Sequence, residues 1–253
     1  MNKKDEKENL LKSILITQNE KNYPFLPILI PIFFLSTFPV LILIVSFFEF
    51  FSIFMIPILL FFTLPLYILI YFIAFVLSSL FISKLILVLI NMLYPPQQGI
   101  FLRNYKDLNY LFYCLRKTIK NYIFQIFNHF PLPWAKVLVF KAFNMEVTTS
   151  SGVLDSYIDS NFIKIGHDTI LGEGSMVLSS VTFDQKYLFV KEVIIGDRVT
   201  IGNSSIVSPG TIIEDNAILG MGSYTKINQH IEGNYIYVGK PAVRLKKIKE
   251  NIE

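Results

Sequence analysis

From Ile165 onward an aliphatic residue recurs at a spacing of six, followed in every unit but VSPGTI by Gly or an acidic residue and, four places on, by a small residue. The units IGHDTI and LGEGSM fill 165–176, and IGDRVT, IGNSSI, VSPGTI, IEDNAI and LGMGSY fill 195–224 in the same phase. No helix pattern matches a strict spacing of six. Three six-residue sides close one coil of a triangular solenoid, so Ile195, Ile201, Val207, Ile213 and Leu219 are expected to point inward and stack on coil neighbours. Val199, Ser205, Thr211, Ala217 and Ser223 lie inside the corners and must be small, and Gly at the second position is assigned to the freedom a turn requires.

The phase survives from Val177 to Ile195, a stretch as long as one coil, but VTFDQKYLFVKEV has no Gly. Thr182 to Val193 is therefore read as a coil carrying a loop excursion. Upstream, Val147 to Lys164 is in phase but degenerate, as a capping coil should be. The fold class expected is an all-β left-handed parallel β-helix over 147–236, with a basic tail or helix over 237–253.

A different solvent is written into the N-terminal part. Between Pro24 and Tyr94 only Glu49 and Lys84 are charged, and this stretch raises the hydrophobic content to 53%. The polar residues 1–24 and the length of the apolar run are unlike a cleavable signal, so the segment is expected to stay. Two transmembrane spans are predicted over 26–48 and 57–82, each long enough for a hydrocarbon core, with 83–93 as an interfacial helix from which Lys84 snorkels. Lys3, Lys4, Lys7, Lys12 and Lys21 flank one end and Arg103, Lys106, Arg116, Lys117 and Lys120 the other, so both termini are predicted cytoplasmic. The intervening 94–146 reads as an amphipathic helical linker, with helices over 106–127 and 133–143 whose aromatic and basic residues suit either a headgroup layer or the neck of the solenoid.

A net charge of +4 without a stripe of basic and aromatic residues argues against nucleic acid. Cys114 is the single cysteine, which excludes an internal disulfide and a cysteine metal site.

The repeat and the closing YVGKPAVRLKKIKE, residues 237–250, resemble the hexapeptide-repeat acyltransferase superfamily. Within it, Ile165 to Lys247 is most similar to the C-terminal domains of ε-poly-lysine-synthase-like nonribosomal peptide synthetases and their membrane-anchored relatives. The resemblance implies the left-handed β-helix, a homotrimer, an acyl-CoA, acetyl-CoA or phosphopantetheine thioester donor, a small-molecule or peptide-like acceptor, and a basic helix at the end. It also implies a catalytic His in the excursion, where Val181 stands instead.

Three histidines exist, His129, His167 and His230. The first precedes the repeat and the other two are not a whole number of coils apart, so no shared zinc site and no metal is expected. His167, at an outward corner, and Asp184, in the excursion, are the candidate catalytic bases; an exposed turn residue and a solvated loop carboxylate are their ordinary alternatives. Asp155 and Asp159 either hold a cationic acceptor or cap the solenoid edge with charge. Gly202, Ser204, Gly220 and Gly222 are candidates to line a pantetheine groove, with Lys240 and Arg244 pairing donor phosphates or meeting anionic lipid. The function expected is a membrane-anchored acyltransferase on the bilayer's cytoplasmic face; the alternative is a membrane-tethered oligomeric scaffold that has lost its catalytic His.

Overall fold

The computed structural model describes residues 26–53, 57–104, 106–130, 135–143, 145–148, 150–152, 156–159 and 162–248. The chain divides into two compact units: residues 23–95 with 115–131, and the solenoid with residues 96–114.

The first unit is helical. Helix α1 spans Leu26–Ile53 and α2 spans Pro57–Leu93. Both are long and apolar enough to cross a membrane. They pack through aromatic edges, Phe33 on Phe75 at 5.7 Å and Phe47 on Tyr67 at 4.3 Å. The span read over 57–82 and the helix read over 83–93 are continuous: α2 runs through Ser83 and Lys84 as one helix of 37 residues. That is about 55 Å of helix at 1.5 Å per residue, and no proline or glycine after Pro65 interrupts it. Helix α3, Leu108–Asn128, gives this unit its residues from Leu115 onward. Its buried Arg116 donates to Asn91 Oδ1 at 2.8 Å and to the Tyr94 carbonyl, satisfying polar groups at the end of α2.

The solenoid is built of two- and three-residue strands on three sides. One side stacks β2 (Glu146–Val147), β4 (Ile163–Ile165), β9 (Val193–Ile195), β12 (Ile212–Ile213) and β14 (His230–Ile231), all parallel. A second stacks β5 (Ile170–Leu171), β10 (Thr200–Ile201), β13 (Ile218–Leu219) and β15 (Tyr235–Gly239). The third stacks β3 (Tyr157–Ile158), β6 (Met176–Val177) and β11 (Ile206–Val207), with Tyr224 adding a bridge. Ile165, Ile195, Ile213 and Ile231 are buried down the first column and Leu171, Ile201 and Leu219 down the second, as the period requires. Each such aliphatic side chain contributes about 1.5–3 kcal/mol of hydrophobic stabilisation. The corner residues Val199, Ser205, Thr211 and Ala217 are wholly buried and Ser223 nearly so.

Glycine at the second hexad position answers to space rather than to turn freedom. A Cβ on Gly196 would lie 2.2 Å from Asp215 Oδ1, and one on Gly202 would lie 2.4 Å from the Met221 backbone nitrogen. The left-handed backbone falls two residues later, at Asp168, Arg198, Ser204, Asn216 and Gly222.

Two expectations of phase are corrected. Ile195 lies over Ile213, eighteen residues on, whereas Ile165 lies under Ile195, thirty residues on. The stretch from Val177 to Ile195 is therefore one side of the prism plus about twelve residues that leave it, and not a coil with a loop. Those residues form an antiparallel hairpin of β7 (Ser180–Phe183) and β8 (Tyr187–Val190). The strand β1 (Gly99–Leu102) pairs along β8, from Gly99 with Val190 to Leu102 with Tyr187. In the capping coil, Val147 keeps its eighteen-residue register to Ile165, but Ile158 pairs with Val177, nineteen residues on. The one-residue slip puts Ile158 in the core and frees Asp159, which strict phase would send inward.

Short helix α4 (Ala135–Ala142) precedes the prism. At the other end β16 (Ala242–Lys247) folds back antiparallel on β15 through a cis Lys240–Pro241 bond, so the expected basic helix is, up to Lys247, a strand.

Candidate active site

His167 turns the corner between β4 and β5. Its backbone N–H donates to Asp197 Oδ1 at 2.7 Å, and its carbonyl accepts from Arg198 N–H at 2.8 Å. Asp197 N–H in turn donates to Asp215 Oδ1, so the carboxylates run up this corner as a ladder and fix the loop. The exposed imidazole lines a groove of about 720 Å³ together with Lys141, Ser150, Lys164 and Asp197, floored by Ile165 and Ile195. Lys164 Nζ pairs with Glu192 at 3.2 Å on the same side of the prism. Among the residues that line the groove, His167 is the one that carries an imidazole.

Asp184 is not brought near it. It lies at the exposed tip of the hairpin, which springs from a different corner, the one between β6 and β9. Asp184 and Gln185 both have left-handed φ and make the turn, the pattern of short hairpin loops. The carboxylate stands 4.0 Å from Lys186.

Gly202, Ser204, Gly220 and Gly222 share the corner after β10 and β13. Their N–H groups donate to the carbonyls of Leu219, Glu173, Tyr237 and Asn203, so the donors a ligand would need are committed to the ladder. Lys240 is exposed at the β15–β16 turn. Arg244 donates to Glu232 at 2.9 Å and lies 4.0 Å over the Tyr235 ring, an arrangement that holds the C-terminal strand. On the neighbouring coil, Glu214 accepts from Gly233 N–H and pairs with His230 at 2.9 Å; that backbone bond, and then the imidazole, hold its carboxyl below the usual range.

Asp155 lies outside the described residues. Asp159 is neither an exposed edge charge nor open to an acceptor: it is 2% exposed, and its Oδ2 accepts from Ser179 Oγ at 3.2 Å and from Ser180 Oγ. Ser180 Oγ also meets the Tyr113 hydroxyl at 2.5 Å. Sequence reasoning missed Tyr113, Ser179 and Ser180. The signal that pointed toward them was Asp159 falling at an inward hexad position, where a carboxylate has no place. Val181, where the family's histidine was sought, is buried with Phe183 and Phe189 and covered by Ile100, Tyr187 and Ile227. A few residues along the linker, Tyr110 receives a bond from Arg103 Nε at 3.3 Å, and burial pushes its phenol up to about 12.

A family model described as the hexapeptide repeat of succinyl-transferase matches residues 192–225. With the stacked coils, it places the chain's likeness in the class of hexapeptide-repeat acyltransferases. The delta-poly-L-ornithine synthetase of Acinetobacter baumannii (strain AB307-0294) is 26% identical over 102 residues, which are 40% of this chain and 7% of that protein. The likeness to polyamino-acid synthetases expected from the repeat is thus present, over a small part of the larger enzyme. The acetyltransferase-like protein YvoF of Bacillus subtilis (strain 168) is 27% identical over 143 residues, 54% of this chain and 81% of that one. Among solved structures, a maltose O-acetyltransferase from Clostridium difficile 630 superposes with a TM-score of 0.46 at 20% identity, covering 55% of this chain and 89% of its own. Among the described residues there is no cluster of three or more His, Cys, Asp or Glu able to hold a metal ion.

Proposed function

We propose that the chain is a membrane-tethered acyltransferase. It passes an acyl group from a CoA or phosphopantetheine thioester to an amine or hydroxyl acceptor at the cytoplasmic face, as a trimer of left-handed prisms. The observation that carries this reading is the stacked hexapeptide prism interrupted at one corner by a hairpin, in a chain that also carries two long apolar helices. The partial likeness to a poly-ornithine synthetase favours an amine-bearing, peptide-like acceptor.

A second reading, a tethered scaffold without turnover, is favoured by one fact: Val181 occupies an apolar cluster where a histidine was sought. Detergent-solubilised full-length chain is incubated with acetyl-CoA and a panel of amines and alcohols, with free thiol release recorded, and its melting is followed with and without CoA. The enzyme reading expects CoA to raise the melting temperature and at least one acceptor to accelerate thiol release. Absence of both leaves the scaffold.

A further inference from the structure

Among the described residues, the hairpin root holds the one buried carboxylate. Asp159 follows β3, and the slip that puts Ile158 in the core aims the next side chain at the first residues of the excursion. Removing a carboxylate from water costs several kcal/mol unless its lone pairs are occupied. Here Ser179 and Ser180 both donate to Oδ2. Ser180 Oγ donates its single proton to Asp159 Oδ2, so it can only accept from Tyr113. The order of donation is Tyr113 to Ser180 to Asp159.

Exposure grades along the chain. Ser179 is at 0% and Asp159 at 2%, whereas Ser180 keeps 8% and Tyr113 9%, so the outer end of the network is hydroxyl and the inner end carboxylate. Strand alternation separates Ser180 from its neighbour: Val181 and Phe183 belong to the apolar face of β7, and Ser180 lies on the other. The strand that lacks a histidine on one face carries a carboxylate-backed hydroxyl on the opposite face.

We propose that Ser180 is the catalytic proton carrier of acyl transfer, with Asp159 as the positioning residue that makes it basic and Tyr113 as the donor that orients it. This rests on the acyltransferase reading above. The acceptor N–H or O–H adds to the thioester carbonyl carbon. As the new N–C or O–C bond forms, the acceptor's proton passes to Ser180 Oγ and the serine's own proton passes to Asp159 Oδ2. The tetrahedral adduct collapses, the C–S bond breaks, and the proton returns along the same path to the departing sulfur, so coenzyme leaves as the thiol and the network is restored.

The test uses the full chain in detergent with acetyl-CoA and the best acceptor from the panel. Transfer of one proton in the transition state is worth about 10²–10⁴-fold. Asp159→Asn, nearly isosteric, is therefore expected to lower kcat by about 100-fold or more with little change in KM for either substrate. Ser180→Ala should fall comparably, Ser180→Thr, which keeps the hydroxyl, should recover most of the loss, and Tyr113→Phe should lose less. The serine pair leaves the Ser179 bond to Asp159 intact and so guards against loss of fold. An active parent whose Ser180→Ala and Asp159→Asn forms keep kcat within about threefold overturns the relay while leaving the transferase reading standing. A parent that turns over no thioester removes the transferase reading and the relay with it.

Discussion

Gly202 and Arg198 show how two positions of one hexad answer to different constraints. Gly202 has an ordinary φ, but a Cβ there would sit 2.4 Å from Met221 N and 2.7 Å from Met221 Cα, backbone atoms that cannot retreat without parting β10 from β13. Arg198 is exposed, with a φ of 52° and one surface hydrogen bond, from its Nε to Asn216 Oδ1 at 2.8 Å. A left-handed conformation costs an ordinary L-residue about 1–2 kcal/mol, less for Asn. Gly202→Ala should destabilise by about 1–3 kcal/mol through overpacking. Arg198→Asn should instead stabilise, by about 0.5–1 kcal/mol, since its strain is relieved at a site where Asn216 and Asn234 already adopt the same backbone. Calorimetric unfolding of the two variants in one detergent should move the solenoid transition in opposite directions; an upward shift for both would mean that φ, and not space, governs both positions.

At the level of elements, the hairpin decides what the solenoid can do, and it was the least legible part. The prism was readable because its signal is local: each hexad states its own inward residue, and Ile195, Ile201 and Leu219 are buried where the period sends them. The excursion was misjudged because one side of six plus twelve inserted residues has the same length as a coil, so phase alone cannot tell them apart. Its turn was written only in Asp184, a residue type that tolerates left-handed φ, and its apolar face in the alternation of Val181 and Phe183. The candidate site was legible only in pieces. His167 was found from its corner, but the Tyr113 and Ser180 hydroxyls meet across 67 positions of chain, and nothing local announces such a pair. The Val181 environment yields a further expectation. Restoring the histidine with Val181→His puts an imidazole against Phe183, Phe189 and Ile100, and leaving its nitrogens without partners costs about 1–3 kcal/mol. The variant should melt earlier and gain no thioester turnover; a gain in turnover at unchanged stability would show that the ring reaches the polar face.

For the molecule as a whole, the question is which solvent the first unit is made for. Phe34, Phe48, Phe62 and Leu93 are each more than three-fifths exposed, and they belong to an outward apolar surface that continues along both helices. A water-soluble hairpin would turn such residues against a core, and patches beyond a few hundred Å² mark an interaction surface or a membrane. Charge within the two helices is confined to Glu49 and Lys84, while lysines and arginines collect on both flanks, which are expected to stay on the cytoplasmic side. Full-length chain should therefore remain in the pellet after an alkaline carbonate wash of membranes and dissolve only with detergent. The single cysteine, Cys114, reports the topology without any engineered label. An impermeant maleimide should leave it unmodified in intact cells and reach it once the membrane is opened. Release by carbonate would mean that another protein, and not lipid, covers α1 and α2; labelling in intact cells would place the residues after α2, and with them the solenoid, on the outer side, where no cytoplasmic thioester could serve as donor.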